Sequence, residues 1–316
     1  MQTFSLCFGL CRRPWYSVKM ERKIIVTHDG GFHADDVCAV AALLLFLKGG
    51  AEVVRTRERS TIAAADFALD VGDEYLPERN RFDHHQPNGA GVRENGIPYA
   101  AFGLVWKKFG EALCGGSRSA AARLDAALVS PLDAHDNGVP IIISVFPGVH
   151  PYGLSEMIKA CTPTWEEEKR YDERFREAVG MAEKILLREI TKVNAVLRAE
   201  TFVSLEYERA PDKRLIILPA DYPWKETLAR FPEPLFVVHL QDAVWYLACV
   251  RDDPKGFQNR KDLPAEWAGL RDGVLAQVTG VSDAIFCHRN RFMAVAGSKE
   301  GAVALAKLAL NYRRHS

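Results

Sequence analysis

The stretch Lys23–Leu47, KIIVTHDGGFHADDVCAVAALLLFL, constrains the fold more than any other part of the chain. KIIVTH carries the β-branched run of a buried strand, and Asp29-Gly30-Gly31 breaks it. From Asp35 onward the run Val37–Leu47 is apolar nearly all round, which a helix tolerates only when it is packed on a sheet. Further strands are expected at Glu52–Thr56, Phe67–Val71 and Arg81–His84, the last closed by the Pro87-Asn88-Gly89 turn. Alternation of this kind predicts an α/β domain with a mainly parallel sheet.

Helices are expected at Tyr99–Phe109 and Ala120–Leu132, the second leading into Asp133-Ala134-His135-Asp136-Asn137-Gly138. The charge-laced segment Trp165–Arg198 reads as a long amphipathic connector. Beyond it, strand-like runs at Phe202–Tyr207, Leu215–Leu218, Leu235–Leu240 and Val244–Arg251 predict a second, smaller α/β domain with its own sheet. The expected division is residues 23–160 for the first domain, 161–200 for the connector and 201–316 for the second domain. With 316 residues, 48% of them apolar, the chain is long enough for two cores.

Lys plus Arg balances Asp plus Glu at 41 each, so no whole-chain field draws in a polyanion, and any such partner must meet a local patch. One candidate patch is Cys287–Ser316, where Arg289, Arg291, Lys299, Lys307, Arg313 and Arg314 face a single acid, Glu300; a solvated helix end is the plainer reading of its last part. The seven cysteines are scattered without a C-x-x-C pair and read as reduced, intracellular thiols. The longest apolar run is far shorter than the ~20 residues of a membrane-spanning helix, so no membrane partner is expected. Residues 1–20 hold Arg12, Arg13 and Lys19 and no acid before Glu21. They read either as a mitochondrial presequence or as an extension upstream of a start at Met20, which would leave the protein cytoplasmic.

In an open parallel sheet the ligand-holding groups come from loops beyond the carboxyl ends of the strands. The His/Asp clusters sit there: His28 after the first strand, His33 and Asp35 before the helix, Asp70 and Asp73 after the third strand, and Asp83, His84 and His85 after the fourth. Imidazole and carboxylate without thiolate suit Mn²⁺, Mg²⁺ or Zn²⁺. Two such ions are a recurring device for phosphoester hydrolysis, and five or more side chains are needed to hold them. Asp36 reads better as a helix cap. Asp35 reads as a ligand because His28 and His33 lie beside it. Adjacent His84 and His85 cannot both face one side of a strand, so one is expected on metal and the other on substrate.

These residues resemble the DHH phosphoesterase superfamily and, within it, the melanocyte proliferating gene (Myg) exonuclease family. The matching segments are THDGGFHADDVCAVAALL (Thr27–Leu44), ALDVGDEYLPERNRFDHHQ (Ala68–Gln86), DAHDNGV (Asp133–Val139), PTW (Pro163–Trp165) and Leu263–Leu310. The resemblance implies that His28, His33 and Asp35 form a first metal-binding motif and that Asp70 bridges two ions. It implies that His84 is a metal ligand and that His85 faces the substrate phosphate. For the last ligand either Asp133 or Asp136 fits the pattern, and Asp136, followed by Asn137-Gly138, fits better. The second domain is similar to a substrate-binding domain that closes over the metal site across a cleft. Its phosphate contacts would be His288, Arg289, Gly297, Ser298 and Lys299, although Lys299 also reads simply as an exposed residue before a helix. The implied activity is a 3′→5′ exonuclease on RNA that uses two divalent ions, Mn²⁺ first with Mg²⁺ or Zn²⁺ as alternatives, in mitochondria and the nucleus. Rivals are a hydrolase of small phosphates, such as pyrophosphate or short oligonucleotides, and a binding protein without turnover.

Overall fold

The computed structural model describes residues 22–312. The expected presequence at residues 1–20 and the basic side chains Arg313 and Arg314 lie outside the described residues. Two compact units divide between Ile190 and Thr191.

In the first unit the elements run β1 (Lys23–Thr27), α1 (Ala34–Phe46), β2 (Ala51–Arg55), α2 (Arg59–Ala64), β3 (Phe67–Leu69), β4 (Tyr75–Leu76), β5 (Arg81–Phe82), α3 (Ala101–Leu113), α4 (Arg118–Leu124), α5 (Ser130–Asp136) and α6 (Leu154–Lys159). The sheet order is β2-β1-β3-β5-β4. Strands β2, β1, β3 and β5 are parallel, with Lys23 opposite Ala51 and Thr27 opposite Arg55, and only the edge strand β4 is antiparallel. The mainly parallel α/β reading of this part therefore stands. Every residue from Ala34 to Leu43 in α1 is buried, including Asp35 and Asp36, which explains a helix without a polar face. It packs against α3, whose own inner face is Phe102, Val105 and Trp106.

The next helix, α7 (Tyr171–Arg209), runs for 39 residues through the division between the units. The strand expected at Phe202–Tyr207 is instead its last turns. The segment alternates, but Val203 and Tyr207 are also four apart, so a helix sets both on one face, where they join the cluster of Ile216, Leu218 and Trp224.

The second unit continues with β6 (Leu215–Leu218), α8 (Lys225–Leu228), β7 (Phe236–Gln241), β8 (Val244–Cys249), α9 (Asp272–Thr279), β9 (Ala284–Cys287), β10 (Met293–Ala296) and α10 (Lys299–Asn311). Its sheet order is β6-β7-β8-β10-β9, with only the β6/β7 pair parallel. Phe236, Val238 and Leu247 pack on Leu305 and Ala309 of α10, while the alternate residue Val237 joins the α7/α8 cluster on the opposite face. Among the described residues no helix is long and apolar enough to cross a membrane.

Candidate metal centre

Strands β1, β3 and β5 are parallel, so the residues that follow them emerge at one edge of the sheet. His28 follows β1, Asp70 follows β3, and Asp83, His84 and His85 follow β5. His28 Nδ1 donates to the Asp29 carbonyl at 3.0 Å, which turns Nε2 toward Asp36 Oδ2 at 3.3 Å and Asp70 Oδ2 at 3.4 Å. The other Asp70 oxygen lies 3.3 Å from His84 Nε2 and 3.4 Å from His85 Nδ1. Asp70 thus stands between imidazoles, one oxygen toward each side. Its φ of +53° is left-handed, a conformation Asp tolerates better than most residues and one that re-aims the side chain as β3 ends.

His84 Nε2 also lies 3.2 Å from Asp136 Oδ2. Asp136 and Asp133 are on helix α5, not in the loop after a helix, because a π-helical turn at Asp125–Val129 carries α4 on into α5. The two aspartates have separate surroundings. Asp136 meets His84, with His33 Nδ1 at 3.9 Å. Asp133 accepts from Gly103 N at 3.0 Å and pairs with Arg93 Nη1 at 2.6 Å.

Asp35 and Asp36 diverge in the same way. Asp36 Oδ1 accepts from His33 N at 2.8 Å and Val37 N at 2.9 Å, as a cap does, but its buried Oδ2 has no hydrogen-bond partner and faces His28. Asp35 accepts from Ala101 N and Phe102 N, both at 2.8 Å, and so caps α3 with both oxygens. Each oxygen retains a second lone pair, and one lies with His84 and Asp136 in a group whose ligand atoms are all within 4.8 Å of one another. Asp70, His84 and His85 form a second such group. Sequence reasoning reserved Asp36 for capping; its only signal as a donor was its place beside Asp35.

Asp83 organises the strand end. Its Oδ1 accepts from His84 N at 2.7 Å and from His85 Nδ1 at 2.8 Å, and its Oδ2 accepts from Asp73 N at 2.6 Å. His84 is consequently held inward, its side chain 8% exposed, and His85 outward at 56%. His33, at the N-cap of α1, is also exposed.

The electrostatics describe a site short of positive charge. Burial disfavours charge on His28, but the carboxylates of Asp36 and Asp70 that face it outweigh this and lift the imidazole to about 10. Burial likewise opposes charge on His84, and Asp136 and Asp70 lift it to about 11. Burial pushes the Asp70 carboxyl up, yet His28 and His84 draw it well below the usual range. Burial, then the charges of Asp70, Asp136 and Asp133, push Asp35 well above it. Three buried donor atoms, Asp36 Oδ2, Asp70 Oδ1 and His84 Nε2, have no hydrogen-bond partner. Buried polar atoms left unmade are costly, and a hard or borderline divalent cation is the partner this donor set fits.

A cavity of about 960 Å³ opens beside the cluster, lined by His28, His33, Asp70 and His85 and by Arg57, Arg59 and Arg79. These arginines are exposed, and none was picked out from sequence. For Arg57 and Arg59 the signal was the run Arg55-Thr56-Arg57-Glu58-Arg59, which leads out of β2; Arg79 had none.

In the second unit, His288 follows β9, with Nδ1 accepting from Asn290 N at 3.0 Å, and Arg289 is exposed. Gly297 N donates to the Asp283 carbonyl at 2.9 Å. Ser298 caps α10 through Gly301 N, while its own N–H and hydroxyl both donate to Asp283 Oδ2, at 2.7 and 2.5 Å. Asp283 therefore already supplies an anion at this helix start, and a Cβ on Gly301 would lie 2.2 Å from its Oδ1. Lys299 Nζ lies over the Trp245 ring at 5.8 Å.

Fold and cluster together define a two-unit α/β protein with an imidazole–carboxylate cradle at the parallel-sheet edge. The sequence profile of the MYG1_exonuc family, described as an uncharacterised protein family (UPF0160), matches residues 24–310. The chain belongs to that family. Among its relatives, MYG1 exonuclease of Homo sapiens is 30% identical over 92% of this chain and 86% of its own length. MYG1 exonuclease of Bos taurus is 32% identical over 92% and 85%. A MYG1 protein of Chlamydia trachomatis serovar D is 32% identical over 91% and 96%. The crystal structure of an exopolyphosphatase-related protein from Bacteroides fragilis is 12% identical over 92% of each chain, with a TM-score of 0.22.

Proposed function

We propose that the protein is a metal-dependent phosphodiesterase that removes nucleotides from the 3′ end of RNA. The observation that carries this reading is the set of orphaned buried donors around Asp70, whose two oxygens face different imidazoles. The names of the mammalian relatives, exonucleases, support nucleic acid as the substrate. His28, His33, Asp35, Asp70, His84 and Asp136 would hold two divalent ions, with Asp36 as a further donor. Mn²⁺ is the first choice, and Mg²⁺ or Zn²⁺ suits the same donors. When bound, such a pair supplies a water of lowered pKa and neutralises charge on the phosphate oxygens.

The chain's own residues do the rest. His85, anchored to Asp83 through Nδ1, presents its outer nitrogen to a phosphate oxygen and stabilises charge developing there. Arg57, Arg59 and Arg79 hold neighbouring phosphates along the cavity. His288, Arg289 and Lys299 are proposed as contacts from the second unit; Gly297 and Ser298 contribute only if Asp283 yields the helix start. A cavity of about 960 Å³ far exceeds pyrophosphate and favours a larger substrate over the small-phosphate reading.

The test offers 3′-labelled RNA, single-stranded DNA and pyrophosphate side by side to the purified protein with Mn²⁺. Stepwise release of nucleotides from the RNA 3′ end is expected. Pyrophosphate hydrolysis without RNA cleavage would replace this reading with the small-phosphate one. Residues 1–20 are proposed as a mitochondrial address, with a nuclear pool as well; a reporter carrying them that stays in the cytosol would remove the mitochondrial assignment.

A further inference from the structure

The face of the second sheet opposite α10 is only partly covered. Helices α7 and α8 pack over Ile216, Val237 and Val250, and the remainder, around His239 and Tyr246, is the floor of a cavity of about 930 Å³. That volume falls within the range of small-molecule sites.

The chemistry of the lining is specific. The His239 and Tyr246 rings stack at 5.5 Å and 18°, and Trp224 lies 6.3 Å from His239. Phe257, 90% exposed, and Phe292 supply further flat surface. His239 itself is only 6% exposed, and its buried Nδ1 has no hydrogen-bond partner, standing 3.5 Å from Asp221 Oδ1 without bonding to it. Burial lowers this imidazole below its ordinary value against the pull of Asp221, so it offers the mixed donor and acceptor of a neutral ring. Gln241 and Asn290 add side-chain amides with both donor and acceptor atoms.

The charges exclude an anion as the main ligand. Arg251 lines the cavity, but its Nε is on Asn259 Oδ1 and its Nη1 on the Gly256 carbonyl, so it holds its own loop. Lys225 shares the lining with three acids, Glu200, Asp221 and Glu226. An aromatic slot with hydrogen-bonding edges and a slight excess of acid suits a flat, neutral, polar-edged ring.

We propose that this cavity is a binding site for a nucleobase, taken up as a nucleoside with any phosphate left outside. Aromatic faces stack the ring, and His239 Nδ1 with the amides reads its edge. The base can come from a free nucleoside or from a nucleic-acid strand. The site is independent of the metal cluster and does not rest on the nuclease reading.

The test is calorimetric titration of the full-length protein in chelator, where cleavage cannot contribute. Adenosine, guanosine, cytidine, uridine and their 5′-monophosphates are titrated in turn. At least one nucleoside is expected to bind one to one, with its monophosphate no more than threefold tighter. Tyr246→Leu and Phe257→Ala should each weaken binding at least tenfold, and the exposed position of Phe257 keeps the second variant folded. Competition by a dinucleotide assigns the base to a strand, and its absence assigns it to free nucleosides. The proposal is overturned if no nucleoside binds, or if both variants bind as the wild type does.

Discussion

Two groups of buried aspartates lie in the first unit, and they are completed in different ways. Around Arg93, the guanidinium pairs with Asp133 at 2.6 Å and with Asp125 at 2.9 Å, while Gly103 N donates to Asp133. The chain itself supplies the cation there. Around Asp70, Oδ2 of Asp36 and Oδ2 of Asp136 each face an imidazole, and three donor atoms are left without hydrogen-bond partners. Burial and negative charge are common to both, so neither marks the functional site. What distinguishes them is whether a permanent cation closes the group.

The largest effect should come from the open group. Asp70→Ala or His84→Ala is expected to cut divalent-ion-dependent RNA cleavage by about 10³-fold or more while circular dichroism stays unchanged. Full activity in either variant would remove the site. The closed group should behave in the opposite sense. Arg93→Met leaves Asp133 buried without its cation and should destabilise the fold by about 3–5 kcal/mol, with no recovery on adding Mn²⁺. Denaturation midpoints measured with and without the ion would show it, and rescue by Mn²⁺ would erase the distinction between the two groups.

Next in size is Gly103→Ala. A Cβ there would lie 1.8 Å from Asp133 Oδ2 and 2.6 Å from Arg93 Nη2, so a loss of about 1–3 kcal/mol in urea unfolding is expected. An unchanged midpoint would mean the Arg93 group is looser than its distances imply. Arg57→Ala should raise KM on RNA several-fold at nearly constant kcat, and Lys299→Ala should weaken RNA binding more than metal binding. A kcat loss instead of a KM rise in Arg57→Ala would move that arginine from binding to chemistry.

The smallest effect is a pH dependence. His28 and His84 are lifted from 6.5 to about 10 and 11, so the stability they give the metal-free fold is complete below pH 6.5 and lost as pH rises toward those values. Ion binding near pH 7 must displace these protons, and calorimetry in buffers of different ionisation enthalpy should detect their release. Thermal unfolding of the metal-free protein that does not change between pH 7 and pH 10 would contradict the assignment.

Much of this contrast was legible in sequence, and the rest shows where local reading stops. His28, Asp70 and the Asp83–His85 run could be read because each directly follows an apolar strand. The parallel order of those strands then gathers them at one edge. In sequence Asp35 reads as a ligand and Asp36 as a cap, yet each has both kinds of contact, because the partners of Asp35 are the N–H groups of Ala101 and Phe102, 66 and 67 positions away. Asp136 is preferred over Asp133 on the pattern of the resemblance alone; the physical difference between them, the pairing of Asp133 with Arg93, depends on the fold. The strands β9 and β10 were not expected at all; each is four residues long and gains its stability from neighbours across the sheet. The end of α7 reads as a strand in sequence because Phe202–Tyr207 alternates, and the cluster it packs against lies later in the chain.

On the proposed function, the Asp70 group is completed by divalent cations from outside the chain. Calorimetric titration of Mn²⁺ into chelator-stripped, full-length protein tests it most directly. Two ions per chain are expected for the wild type and for Lys299→Ala, with at least one lost in Asp70→Ala and in His84→Ala. No binding by the wild type, or full stoichiometry in both site variants, would contradict the account.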